Sequence, residues 1–163
     1  MSSLTALTYA QAIGLGAIAG MRSMSAPALV SYAATSGQDE GLSQSPLASQ
    51  TASKVLGLLA VGEMIADKLP GIPDRTSTPS LAARAASGAF SGAAIFNSRK
   101  KSIGIGAAVG ALAAVASAFA FYHLRRTAGR ELNVPDAVVA ITEDALVVGA
   151  GFAILRAGAA AQD

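Results

Sequence analysis

Residues 55–96 read VLGLLAVGEMIADKLPGIPDRTSTPSLAARAASGAFSGAAIF, and this stretch decides the fold class. Apolar residues fill 55–69 and 81–96, and prolines at 70, 73 and 79 stiffen the connection between them. Proline fixes φ and removes a donor, so it ends helices and rigidifies turns. Thr78 before Pro79 reads as the N-cap of the second helix. Within or beside these runs stand Glu63, Asp67, Lys68, Asp74, Arg75 and Arg84. Charges scattered through runs of Ala, Gly, Leu and Val imply membrane helices, with the charges turned inward or held at the boundary.

The rest of the chain agrees. Of its 163 residues, 52% are hydrophobic and 13% charged, against about 25% charged in soluble domains. A soluble chain this poor in charge could not cover its own surface. Net charge is +2, and the longest basic tract is Arg99-Lys100-Lys101. With no Trp and few aromatics, nucleic acid is not an expected partner. There is no Cys, and His123 is the single histidine, so neither thiol chemistry nor a multi-histidine metal site is available. No Walker loop or dinucleotide fingerprint occurs, and no cofactor or metal is expected. The N-terminus has no basic region ahead of its apolar run, so a cleaved signal peptide is not expected.

Outward from the central stretch, residues 8–34 form the first apolar run, interrupted by Gly20, Arg22 and Pro27. A helix that long would reach about 40 Å at about 1.5 Å per residue, beyond a hydrocarbon core of about 30 Å. A kinked or broken helix with Arg22 at the break is predicted. Residues 35–53, TSGQDEGLSQSPLASQTAS, read as a solvated, mobile loop. The basic turn NSRKKS spans 97–102, and the cleanest span follows at 103–124. After a polar connection, residues 136–155 carry Glu143 and Asp144 about two turns in.

The expected fold is therefore all-α: one membrane domain over 1–163, a polytopic bundle of about five spans with the first helix broken. GxxxG spacings at Gly16–Gly20, Gly88–Gly92 and Gly106–Gly110 point to close helix packing within the chain, with a homo-oligomer face as the alternative. The NSRKKS turn, set in the cytoplasm by the positive-inside rule, puts the N-terminus outside and the C-terminus inside; Arg125, Arg126 and Arg130 then fall outside, against the rule, and dual insertion is the alternative.

Residues 14–32 and 104–122 match at a shift of 90, with Gly14, Gly16, Gly20 and Tyr32 meeting Gly104, Gly106, Gly110 and Tyr122. The next run in each half brings a glutamate, Glu63 or Glu143. An odd number of spans between the copies would make this an inverted repeat with halves 8–97 and 102–157, the architecture of many transporters. Chance similarity of Ala/Gly-rich helices is the competing account.

A charge at the centre of a membrane helix costs about 2.5–3.5 kcal/mol on insertion scales, so such groups face partners or water. Arg22, Glu63, Arg84 and Glu143 form the expected intramembrane polar site, with Asp67 and Asp144 one helical turn or one residue away. Its carboxylates would take a proton or cation, and its guanidinium groups would neutralise them or hold an anionic headgroup. Structural ion pairing is the alternative. Asp74 and Arg75 in the proline turn suit a lipid headgroup or, equally, a salt bridge within the loop.

The motifs Gly16-x-x-x-Gly20-x-Arg22 with Pro27, Glu63-x-x-x-Asp67-Lys68-x-Pro70-x-x-Pro73-Asp74-Arg75, and the small-residue helix from Arg84 resemble a family of small bacterial integral membrane proteins. That family is a domain of unknown function. The resemblance implies a compact multi-span fold and supplies no activity. The second half departs from the pattern, with Leu112 at the position equivalent to Arg22 and no proline turn.

Three functions stay open. The first is a small inner-membrane transporter or permease, with membrane lipids around it and a small solute, proton or cation as cargo. The second is a non-catalytic scaffold or lipid-binding protein. The third, with least support, is a lipid-modifying enzyme.

Overall fold

A computed structural model describes residues 3–37, 39–66, 77–131 and 135–160. Among these residues the structure is entirely helical. Its α-helices are α1 (Ser3–Met21), α2 (Ser25–Thr35), α3 (Glu40–Ser43), α4 (Gln50–Ala66), α5 (Thr78–Ser98), α6 (Ile103–Glu131) and α7 (Asp136–Ala159). A single 3-10 turn, Pro46–Ala48, lies between α3 and α4. Pro79 sits in the first turn of α5, but the cap position is Ser77, one residue before the Thr78 read from sequence.

Three helices, α1, α5 and α6, pack most extensively on one another. Small residues make this possible. Gly16 of α1 and Gly88 of α5 both lie against the Gly110 carbonyl of α6, and Gly92 of α5 lies against that of Gly106. A Cβ on Gly110 would run into the Gly88 carbonyl oxygen. All three GxxxG spacings are thus used inside the chain, where small side chains let backbones approach. On α5 the buried stripe is Arg84, Ser87, Gly88, Ser91, Gly92 and Ile95, at helical spacing. Helix α7 packs on α1 and α2, and α4 packs on α2.

The first apolar run does not continue through its interruption. It turns back. Helix α7 measures this, because both arms climb along it. Arg22 pairs with Asp144, Gly14 faces Ile154, and Gln11 donates to the Ile154 carbonyl at 3.3 Å. Going the other way from Arg22, Leu29 meets Gly151, and Tyr32 meets Phe152 edge-to-face at 5.4 Å. Helices α1 and α2 are therefore antiparallel arms of a hairpin with its tip at Arg22–Met24. Pro27 fits the first turn of α2, where its missing N–H has no intrahelical partner to lose. The tip lies eight residues into α7 and six into α5, roughly 9–12 Å from their starts at about 1.5 Å per residue.

The hairpin changes two expectations. Lys101 Nζ donates to Thr5 Oγ1 at 2.9 Å, and Arg99 Nη2 donates to the Gly158 carbonyl at 3.4 Å. Both ends of the described chain therefore lie at one end of the bundle, not at opposite ends. Helices α1 and α6 also run in the same direction, with Gly16 beside Gly110 and Gly20 beside Ala114. The copies at 14–32 and 104–122 are thus not inverted, because the turn back adds one more reversal between them.

The stretch 35–53 also differs from expectation. Asp39 caps α3 through the Leu42 N–H at 3.1 Å and pairs with Arg99, Nη2 to Oδ2 at 2.8 Å. Leu42 is buried, Ser31 Oγ donates to the Leu47 carbonyl at 2.7 Å, and residues 50–53 already belong to α4. Polar composition hid a folded strap across this end of the bundle.

Among the described residues, three helices have stretches long and apolar enough to cross a membrane: Ser3–Met21, Ile103–Ala128 and Val138–Ala159. Burial runs opposite to that of a soluble protein. Arg22 is 0% exposed and Arg84 4%, while Leu58 is 73% exposed and Leu112 71%. Charge inside and large aliphatics outside is the arrangement that suits a lipid surround.

Candidate functional site: the charged tip of the hairpin

Where a helix stops inside a bundle, its last carbonyls and first amides lose their intrahelical partners. Water satisfies them at a surface. At the Arg22–Met24 tip, side chains from two other helices do so.

Arg84 on α5 takes the carbonyl end. Its Nη1 donates to the Gly20 carbonyl at 2.5 Å and the Met21 carbonyl at 2.8 Å. Its Nε donates to Ser80 Oγ at 3.2 Å, which holds the guanidinium in place. Glu63 on α4 takes the amide end. One carboxylate oxygen accepts from the Ser23 N–H and Ser23 Oγ, each at 2.8 Å, and the other accepts from the Met24 N–H at 2.7 Å. Ser87, one turn beyond Arg84, donates its hydroxyl to the Ser23 carbonyl. The signs match the helix dipole, with a cation at the C-terminus of α1 and an anion at the N-terminus of α2.

The Arg22 side chain leaves the tip for α7. Its Nε donates to Asp144 Oδ1 at 2.9 Å, and Nη2 lies 2.8 Å from the same oxygen. Glu143, 3% exposed, faces Arg125 of α6, Oε2 to Nη1 at 3.7 Å. In these contacts three guanidinium groups, Arg22, Arg84 and Arg125, balance three carboxylates, Glu63, Glu143 and Asp144.

Of the residues expected at an intramembrane polar site, Arg22, Glu63, Arg84 and Asp144 meet at the tip. Glu143 neighbours Asp144 in sequence but engages Arg125. Asp67 and the proline-turn pair Asp74 and Arg75 lie outside the described residues. Sequence reading missed Ser23, Ser87 and Arg125. The Ser87 signal was present, since it stands three residues after Arg84 on the small-residue face. Arg125 looked like part of a polar connection because α6 continues past the end of its apolar stretch.

Chemically, the cluster offers carboxylates able to exchange a proton or cation, and guanidinium groups able to hold an anion, with Arg22, Arg84 and Glu143 buried. Among the described residues no three of His, Asp and Glu converge as a metal site. No curated protein and no solved structure gives a significant match to the chain. A family model described as a domain of unknown function, DUF4126, matches residues 9–161. That match covers nearly the whole chain, tip and partners included, and the chain belongs to the DUF4126 family.

Proposed function

We propose that this chain is a small, multi-pass protein of the inner (plasma) membrane that passes a small solute, proton or cation by way of the charged hairpin tip. The observation that carries the reading is a helix pair reversing inside the bundle, with Arg22, Glu63, Arg84 and Asp144 gathered at the reversal and the Glu143–Arg125 pair next to them in the chain of contacts. Backbone freed at membrane depth is tolerated where it is buried in protein or lines a cavity, and transporters place their sites at such interruptions. In this reading α1 and α2 enter and leave on one side, and α4 to α7 each cross. Glu143 and Asp144 are the carrier carboxylates, and Arg22 and Arg125 set their charge.

The chain has no cysteine, which makes the test direct. Single cysteines replace Arg22, Glu63, Arg84 and Glu143, with Ser43 and Lys100 as exposed controls. In sealed vesicles a membrane-impermeant maleimide is expected to label positions 63 and 143. Liposomes loaded with a pH-sensitive dye are expected to show proton flux that Glu143→Gln removes.

One observation favours a second reading, a non-catalytic scaffold or lipid-binding protein. Glu63 and Arg84 each serve a helix end, which is a structural task. Protection of all four intramembrane positions while the controls label, together with no flux, would establish that reading and end the first.

A further inference from the structure

At the end of the bundle where both ends of the described chain lie, the strap and α5 leave between them a groove of about 270 Å³. Phe90, Ala93, Ala94 and Asn97 form its α5 wall at helical spacing, over roughly 10 Å at about 1.5 Å per residue. Leu42 and Leu47 stand on the strap side. Asn97 and Ile103, both exposed, bracket the basic turn, so the mouth of the groove sits beside Arg99, Lys100 and Lys101. These three cations are not alike. Arg99 pairs with Asp39, and half-buried Lys101 donates to Thr5. Lys100 is exposed and, among the described residues, has no ion-pair partner; the strap's other acid, Glu40, is exposed and has none either. The backbone singles Lys100 out as well. The Lys101 N–H donates to the Phe96 carbonyl and the Lys100 N–H to the Asn97 carbonyl, each at 2.9 Å. This is a Schellman ending for α5, and it sets Lys100 at φ 52°, the left-handed position where glycine is usual. A side chain is held there at a cost, and strain of this kind clusters at functional sites.

We propose that this groove seats an acyl chain of one anionic phospholipid, whose phosphate is held at the mouth by the Lys100 ammonium and the Asn97 amide. Three features select this occupant. The groove follows α5 inward from an exposed polar end, as a lipid chain runs in a bilayer. Among the described residues its lining is apolar except for Ser45 and Asn97, which suits hydrocarbon. Lys100 brings an unmatched positive charge to the mouth, which favours an anionic headgroup over a zwitterionic one. A second copy docked here about a two-fold axis along the membrane normal would instead bring two basic turns together. The site rests on the membrane reading and not on transport at the tip.

The chain has no Trp, and Phe90, 44% exposed, lines the inner end of the groove. Phe90→Trp is therefore a single fluorescent reporter in the full chain, reconstituted in dioleoylphosphatidylcholine vesicles. Part of the host lipid is replaced by chain-brominated phosphatidylglycerol or, in parallel, by chain-brominated phosphatidylcholine. Phosphatidylglycerol is expected to reach half-quenching at a roughly five-fold lower fraction, the worth of one lysine near an anionic surface. Lys100→Gly should abolish this preference while raising the unfolding temperature in detergent, because glycine relieves the left-handed position. Ala93→Leu, which fills the groove from its α5 wall, should abolish it too. Equal quenching by the two lipids would overturn the proposal. So would a preference that survives Lys100→Gly, a test that holds even if Ala93→Leu fails to fold. A preference that survives Ala93→Leu would overturn it in favour of a diffuse attraction of anionic lipid to the basic turn. Quenching by neither lipid would overturn it in favour of a second copy closing the groove. Each of these results ends the proposal alone, whereas a chain that alkaline washing strips from membranes would end the membrane reading with it.

Discussion

Glu63 and Arg84 do at the hairpin tip what water does for helix ends at a protein surface. The consequence for single residues is specific. Glu63→Ala leaves the half-buried amides of Ser23 and Met24 without their acceptor. A cost of about 2–3 kcal/mol is expected, read as a lower unfolding midpoint in detergent. Glu63→Gln keeps one acceptor oxygen and should cost less. Arg22 and Asp144 call for a different experiment. Removing either partner strands a buried charge, at about 3–5 kcal/mol, whereas replacing both with apolar residues is often neutral. Arg22→Met and Asp144→Leu should thus each destabilise strongly, and the double variant should recover most of the loss. If the double variant is as weak as the worse single one, the pair is not the main interaction of Arg22.

At the scale of helices, glycines divide into two classes that composition cannot tell apart. Gly110 faces the Gly88 carbonyl across α5 and α6, so Gly110→Ala must push two backbones apart. Overpacking of this kind costs about 1–3 kcal/mol or more, and reduced folded yield is expected. Gly149 on α7 has open space where its Cβ would stand. Gly149→Ala should instead stabilise, by up to about 1 kcal/mol, through helix propensity alone. Thermal unfolding of the two variants side by side checks the contrast. The GxxxG spacings made the Gly110 class legible in advance, because the pattern itself implies contact. The interruption at 20–27 was equally legible. What lay beyond reading was the direction the chain takes after it. Local sequence states that α1 must stop, but Glu63 and Arg84, 39 to 64 residues away, stabilise the reversal. The same limit applied to 35–53, where polar composition reads as solvation and Asp39 nevertheless finds Arg99.

For the whole molecule, the hairpin places both ends of the described chain at the same end of the bundle. Epitope tags at the N- and C-termini should therefore be digested, or protected, in concert when sealed vesicles of one orientation meet protease. One tag cut and the other protected would mean that α1 and α2 run on through the membrane and that the hairpin is absent. The burial pattern was legible from the start, since charges set within apolar runs, such as Arg22 and Arg84, turn inward to face partners. The partners of each charge were not. They follow from three-dimensional neighbours, and Glu143, matched in sequence to Glu63, pairs with Arg125.

The tip also imposes an order on biogenesis. Arg22 leaves the ribosome long before Asp144, which lies 122 residues later. At about 5–20 residues per second, the guanidinium waits roughly 6–24 s for its carboxylate. Glu63 and Arg84 arrive sooner, so the backbone of the reversal can be secured before the side chain of Arg22 is. During that interval a nascent chain holds an α1–α2 hairpin whose charge has not met Asp144. Insertion of this chain is thus a problem in timing, with α7, made long after α1, completing it.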